Sequence, residues 1–417
     1  MKSGSLLHLA WRSLQRHRLA NGITVFTTAL AVGLAFAVFA INAQAQAAFV
    51  GGGNGYDAVL GARGSQLQLV LNSVFHLETS PGNIPWSLYK AAAGRPGVKR
   101  AVPLAVGDNY RGFRLVGTTL DFFTNPPEDS PPWKLDNGGR FFDPQRREAV
   151  VGSFAARESG LVLGSRFHPY HGLVFNEEER HQEEYVVVGI LEPTNTPVDR
   201  VIFIPMEGIF RMEGHVLRGS GEAFTAESGH SIPEEHREVS AVLLDLANPQ
   251  IGFSLSQQIN RQGKVATLAF PIGRVVSEVF QKMGWAHRIL ALVSYLVLFI
   301  AGSSILTSLV QTLGSRKKEF AVLRALGLSR RRLFSLLILE SSLLALAGSL
   351  AGFVVYAVLV FVASSLIRAQ TGVVIAVWTF HPVFIWGPAL MLALGAVAGV
   401  LPAWKAYKTD VAGHLGG

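Results

Sequence analysis

The sequence predicts an α-helical membrane protein with four transmembrane helices placed one plus three, and a large mixed α/β extracytoplasmic domain between the first and second. Three observations carry this expectation. Four runs are apolar over the roughly 20 residues that a bilayer core demands of a helix. A mostly polar stretch, 44–284, separates the first run from the other three. Lys and Arg gather at two of the segments that flank the runs.

The apolar runs are Ile23–Ile41, Ile289–Leu313, Leu333–Leu366 and Phe384–Leu401. The first follows Arg12, Arg16 and Arg18 as a secretory signal would, but it is too long for a signal core. Asn42-Ala-Gln-Ala-Gln-Ala47 is a poor cleavage site, so the run is read as an anchor. The third exceeds one crossing and is expected to tilt, protrude or break, most easily at Gly348 and Gly352. Residues 1–22 carry Lys2, Arg12, Arg16 and Arg18 and no acid, and the loop 314–332 carries seven basic residues against Glu319 alone. Both are therefore expected in the cytoplasm. The organisation that follows is a cytoplasmic segment 1–22, a first span 23–43, an exported domain 44–284 and a second span with its stalk 285–313. Then come a cytoplasmic loop 314–332, a third span 333–366, an outer link 367–383, a fourth span 384–403 and a cytoplasmic tail 404–417.

The net charge of +8 is thus a topology signal, since residues 44–287 hold 22 basic and 26 acidic residues. A mildly acidic exported domain removes the basis for nucleic-acid binding. The absence of Cys excludes disulfides, thiolate metal sites and Cys nucleophiles. Within the domain, Arg114–Gly117, Glu148–Gly152, Tyr185–Ile190, Val201–Pro205 and Val239–Asp245 read as strands. Pro85–Ala93, Ser153–Gly160 and Pro249–Gln262 read as helices, and Asn125–Pro132 and Gly214–Glu238 as surface loops. Val275, Val276, Val279, Phe280 and Met283 fall at helical spacing, which predicts an amphipathic stalk leading into the second span.

The loop 314–332 has the make-up of a coupling element. From Ser315 to Leu326 a helical pattern sets Phe320, Leu323 and Leu326 on one face and Lys317, Lys318 and Arg324 elsewhere, with Gly327 as a C-cap candidate. The residues alone leave two readings open: a helix that docks in a groove of a partner protein, or an interfacial helix whose cations rest on anionic lipid. Glu340 is the one acid in a predicted span, about 12 Å inward from Arg332 at 1.5 Å per residue. It is either a functional intramembrane carboxylate or one near enough to the interface to be hydrated. Gly348-x-x-x-Gly352 and Gly395-x-x-x-Gly399 permit close helix approach, with packing inside one subunit favoured over a dimer seam.

At this point the residues resemble a known family. Ser315-Arg-Lys-Lys-Glu-Phe-Ala-Val-Leu-Arg-Ala-Leu-Gly-Leu-Ser-Arg-Arg-Arg332 resembles the cytoplasmic loop of the FtsX/MacB/Lol-type ABC transporter permeases. Leu9-Ala-Trp-Arg-Ser-Leu-Gln-Arg-His-Arg18 before the first span, Glu340 early in the third, and Pro402-Ala-Trp-Lys-Ala-Tyr-Lys-Thr-Asp-Val-Ala412 at the close match the same pattern, with Val411 replacing the usual Pro. Gly138-Gly-Arg-Phe-Phe-Asp143, Glu148-Ala-Val-Val-Gly152, Tyr185-Val-Val-Val-Gly-Ile-Leu191 and Asp199-Arg-Val-Ile-Phe-Ile-Pro205 resemble the MacB-type periplasmic core in order and spacing. Residues 51–110 match least.

The resemblance implies a permease subunit in the bacterial inner membrane that works as a homodimer or beside a paired permease, with a periplasmic partner protein for the exported domain. It assigns Lys318, Glu319, Phe320, Leu323, Arg324 and Gly327 to coupling with an ABC ATPase. No Walker A pattern occurs, and few residues precede the first span, so ATP and Mg are expected on a separate ATPase chain and no cofactor on this one. The expected activity is mechanotransmission, in which ATP hydrolysis elsewhere moves the exported domain to export or extract a substrate. Lipoprotein, peptide, haem or metal, and lipid are all open as cargo. The alternatives are an FtsX-like regulator of a cell-wall hydrolase and an ATPase-independent membrane-anchored binding or sensor protein.

Seven histidines lie in the exported domain, at His76, His168, His171, His181, His215, His230 and His236. His168, His171 and His181 are weak metal-ligand candidates, because their spacing is not a ligand signature. Solvated loop histidines and a metal-free domain are the expectation. Neither Gly-x-Ser-x-Gly nor His-Glu-x-x-His occurs, so catalysis by the exported domain has no support.

Overall fold

The computed structural model describes residues 4–408 apart from 51–54, 129, 137, 173–174, 213–231, 283, 316–319, 321, 325–326 and 372–373. Lys318, Glu319, Met283 and most of the expected loop Gly214–Glu238 therefore lie outside the described residues. The chain forms two compact units: a helical one of Met1–Ala45, Met283–Ser365 and Ile375–Gly417, and a mixed one of Gln46–Lys282 and Leu366–Val374.

Among the described residues, four helices are long and apolar enough to cross a membrane: Arg18–Val50, Gly284–Ser315, Arg330–Thr371 and Val383–Lys408. One precedes the mixed domain along the chain and three follow it. The third, 42 residues long, is unbroken. It runs for about 63 Å, twice the roughly 30 Å of a hydrocarbon core. Of the three expected courses, tilt, protrusion or a break at Gly348 and Gly352, the break is not taken, and these glycines serve packing. A Cβ on Gly348 would lie 2.5 Å from the Thr28 side chain, and one on Gly352 would lie 3.0 Å from Val32. Gly33 on the first long helix answers in kind, its Cβ position being 2.8 Å from the Gly352 carbonyl oxygen. Gly395 and Gly399 on the fourth helix do the same against the third: a Cβ on Gly395 would sit 2.7 Å from that of Ala345, and one on Gly399 would strike Ser341. Both Gly-x-x-x-Gly pairs thus join helices of one chain, backbone close to backbone.

The strands of the mixed unit are, in chain order, β1 (Ala58–Ala62), β2 (Ile84–Pro85), β3 (Val98–Tyr110), β4 (Phe113–Thr118), β5 (Glu148–Val151), β6 (Arg166–Phe167), β7 (Tyr170–His171), β8 (Tyr185–Ile190), β9 (Ile202–Pro205), β10 (Glu238–Val239), β11 (Ala241–Leu246) and β12 (Ala266–Ala269). Ten of them make one sheet in the order β12-β1-β11-β3-β4-β9-β5-β8-β6, with β7 paired to the far end of β3. β4 and β9 pair in parallel, as do β5 and β8, and the other pairs are antiparallel.

Helices cover both faces of this sheet. Successive side chains point to opposite faces, so Ala149, Val151, Ile202 and Ile204 enter one core while Val150 and Phe203 enter the other. Burial on both sides is why these strands read as continuous apolar runs. One face carries the helices Trp86–Ala93, Ser153–Ser159 and Met206–Phe210; the other carries Gln66–Ser73 and Ile272–Lys282. The helical spacing of Val275, Val276 and Phe280, expected to mark an outward stalk, serves this second core.

The stretch Gly138–Asp143 is pinned to β5 by charge. Arg140 Nη1 and Nη2 donate to Glu148 Oε2 and Oε1 at 2.6 and 2.5 Å, and the Asp143 N–H donates to Oε2 at 2.8 Å. The Arg140 hydrogen bonds hold the Glu148 carboxyl below the usual carboxylate range, and its burial only partly offsets them.

Candidate functional site

Three groups of residues carry chemistry that the fold alone does not need. The first is the loop between the second and third long helices. Gly327 has φ +94°; its N–H donates to the Arg324 carbonyl at 3.0 Å, and the Leu328 N–H donates to the Leu323 carbonyl at 3.0 Å. This pair of bonds is a Schellman turn, and it requires a residue at ease with positive φ at its turn position. Gly327 therefore ends the loop helix as its sequence position predicts. Phe320 and Leu328 are buried in a cluster with Ala10, Leu333, Leu336, Leu337 and Ala403, and Leu323 packs against it. Phe320 thus faces its own chain, whereas Val322, 49% exposed, lies on the open side. Glu340 is 1% exposed on the third helix, one turn beyond Leu336 and Leu337. It is a buried carboxylate within its own chain.

The second group lies in the mixed unit and is built around Asp199. This buried carboxylate accepts from the N–H groups of Thr194 and Asn195 and from the Thr194 hydroxyl at 2.8 to 3.2 Å. Those bonds stabilise Asn195 at φ +57°, a conformation that Asn tolerates better than most residues. Asn195 then faces Val374: the Val374 N–H donates to Asn195 Oδ1 at 2.6 Å, and Asn195 Nδ2 donates to the Val374 carbonyl at 3.4 Å. Arg200, four residues on in chain order from Thr196, donates to the carbonyl of Ala369. The Arg200 and Arg368 guanidinium groups lie 5.7 and 5.4 Å from the Phe154 ring centroid. The end of the third long helix is in this way fastened to the segment Asp199–Pro205. The segment is visible in the sequence as a motif, but Ala369 and Val374, the partners of this segment and of the turn just before it, lie far along the chain, so its role is not.

The third group is Asp108, His171 and His181. A β-bulge falls between Val106 and Asp108 where β3 pairs β4, and such a bulge re-aims the side chains beside it. β7 pairs β3 with His171 directly opposite Asp108, and the bridge between Tyr170 and Arg180 brings His181 alongside. Asp108 Oδ1 is 3.3 Å from His171 Nδ1 and 3.2 Å from His181 Nε2. Asp108 and His181 are buried and His171 is exposed. The hydrogen bond to Asp108 raises the His171 pKa above its ordinary value.

Of the three histidines suggested by sequence, the structure unites His171 and His181, leaves His168 apart, and adds Asp108, which no spacing rule could have found. The expectation of solvated loop histidines fails at His181, which is buried. Elsewhere in the domain His76 is held at φ +54°, and burial pushes its pKa down to about 3, so it is neutral. His215 and His230 lie outside the described residues.

Residues 22–242 match the MacB-like periplasmic core domain, and residues 291–411 match the FtsX-like permease C-terminal. The lipoprotein-releasing system transmembrane protein LolC of Haemophilus influenzae is 23% identical over 372 residues, covering 85% of this chain and 87% of LolC. Among solved structures, the periplasmic region of MacB from Actinobacillus actinomycetemcomitans covers 55% of this chain and 94% of its own, at 11% identity and TM-score 0.33. The extracellular domain of the ABC-type transporter YknZ from Gram-positive bacteria covers 51% and 99%, at 14% identity and TM-score 0.29. With more than half of its length matched by the periplasmic core and its last three long helices by the permease module, the chain belongs to the FtsX-like ABC transporter permeases that carry a MacB-like periplasmic core domain.

Proposed function

We propose that this chain is the bacterial inner-membrane subunit of an ABC transporter and that it passes motion from a separate ATPase to its large domain. The observation that carries the proposal is the third long helix. Its first turns pack with Phe320 and Leu328 of the basic loop, and its last turn is held by Arg200 just before the Asn195–Val374 pair. A force applied to the loop has an unbroken backbone along which to travel. The ATPase would engage Lys318, Glu319 and the open side around Val322 and Arg324, with Phe320, Leu323 and Gly327 holding the loop in shape. A second copy or a related permease would complete the assembly, with ATP and Mg on the ATPase. LolC is named for lipoprotein release, and a lipidated substrate is the first cargo to seek here.

The test is to seek an ABC ATPase gene adjacent to this one and to measure co-purification of its product with this chain, together with stimulated ATP hydrolysis. Val322→Asp and Glu319→Lys should abolish both while leaving membrane insertion intact. Full coupling in both variants would overturn the assignment of the loop. Mass spectrometry of lipids and peptides retained by the complex reads out the cargo.

A further inference from the structure

The geometry points to a divalent transition-metal site, zinc above all, formed by Asp108, His171 and His181 on one edge of the large domain. Ligands held about 2.0–2.2 Å from a tetrahedral zinc lie about 3.4 Å apart. Asp108 Oδ1 is 3.2 and 3.3 Å from the two imidazole nitrogens, and the three ligand atoms all lie within 4.8 Å of one another. Two edges of the ligand triangle therefore already have the separation that a bound ion needs, and the third closes with a small rotation of the exposed His171 ring.

The donor set selects the ion. Two imidazoles and one carboxylate suit zinc and its first-row neighbours, whereas magnesium and calcium take oxygen ligands. Three protein ligands leave a fourth position, and His171, with 53% of its side chain exposed, marks the side on which water reaches it.

Backbone contacts fix the ligands in place beforehand. Asn109, next to Asp108 on β3, donates through Nδ2 to the Gly172 carbonyl at 2.9 Å and so holds the residue after His171. The His181 N–H donates to the Pro169 carbonyl at 2.9 Å. Such orientation of ligands by their neighbours is what metal affinity depends on beyond the ligands themselves. The ion would join β3 to the excursion Tyr170–His181, a staple in a domain that has no cysteine with which to make one.

The alternative is a metal-free clasp in which both imidazoles donate to Asp108. One experiment separates the two. Full-length protein in detergent, its affinity tag removed and its metals stripped by a chelator, is titrated with Zn²⁺ and separately with Co²⁺. The expected result is one equivalent per chain with a Kd of about 1 µM or tighter, and visible Co²⁺ absorption bands of a tetrahedral site. His171→Ala and His181→Ala should each weaken Zn²⁺ binding by about tenfold or more, and His168→Ala should leave it unchanged. Because His171 is exposed, His171→Ala should melt with the metal-free protein, which separates loss of a ligand from loss of the fold. No saturable binding below roughly 100 µM, or equal binding by His171→Ala and the parent protein, would overturn the site and leave the clasp.

Discussion

Asn195 and Val374 are paired through both of their polar groups, side-chain amide to backbone amide, although 179 residues separate them. Asp199 holds the turn that presents Asn195 to Val374. The pair joins the turn just before the family motif Asp199–Pro205 to the link between the third and fourth long helices.

Replacing Asn195 by Ala removes both bonds at once. Two hydrogen bonds are worth about 1–3 kcal/mol together, so amide exchange at Ala369 and Val374 should rise about tenfold. Exchange that matches the parent protein would show that the pair bears no strain. Asp199→Ala should do more, because it also frees the turn at Thr194 and Asn195.

Phe320→Ala and Val322→Asp should separate packing from docking. Truncating a buried Phe costs about 3–5 kcal/mol, so Phe320→Ala should lower the melting temperature of the helical unit. Val322 is on the open side, so Val322→Asp should leave melting unchanged and lose the ATPase. The opposite pattern would mean that the buried and exposed faces of the loop are exchanged when the partner binds.

Gly348→Ala should destabilise the chain by about 1–3 kcal/mol, because its new methyl group meets Thr28 at 2.5 Å. Thr28→Gly in the same chain should restore most of that loss, at some cost in helix propensity. Thermal melts of the two single variants and the double variant form the cycle that checks it. Additive losses would place Gly348 elsewhere than against the first helix.

Acid should act on the Arg140–Glu148 pair. The folded-state pKa of Glu148 is lowered, first by the Arg140 hydrogen bonds, so its contribution is present above the unfolded value of about 4.3. That contribution is lost as pH falls through the folded-state pKa. Melting temperatures taken from pH 6 down to pH 3 should fall less steeply for Arg140→Gln than for the parent protein. Arg140 is half exposed, so the difference should be modest and should shrink with added salt.

The four long helices were legible in the sequence because a bilayer imposes one simple demand, length without charge. β4, β5, β8 and β9 were legible for a similar reason: burial on both faces leaves runs such as Val150–Val151 and Ile202–Ile204 with little but apolar residues. β3 was not, since Asp108 and Asn109 interrupt it with polar side chains that belong to a site. β12 is four residues long and carries Thr267. At Phe320 the pattern revealed an apolar face but not its partner, because Ala10, Leu333 and Ala403 are contributed by three other segments. The Asp108 cluster depends on a bulge and on strand register, and neither leaves a spacing to read.

The third long helix has a further consequence. Gly348 and Gly352, where the first helix presses closest, stand 18 and 22 residues from its start at Arg330, which is the middle of its 42-residue length. A rod gripped at its midpoint pivots there, with about 30 Å of arm on either side at 1.5 Å per residue. Tilting it by about 10° would carry its two ends about 5 Å in opposite directions. Under the proposed coupling, a push on the Arg330 end would appear at Ala369 as a displacement of similar size in the opposite direction, with the glycines that bring two helices together as its fulcrum.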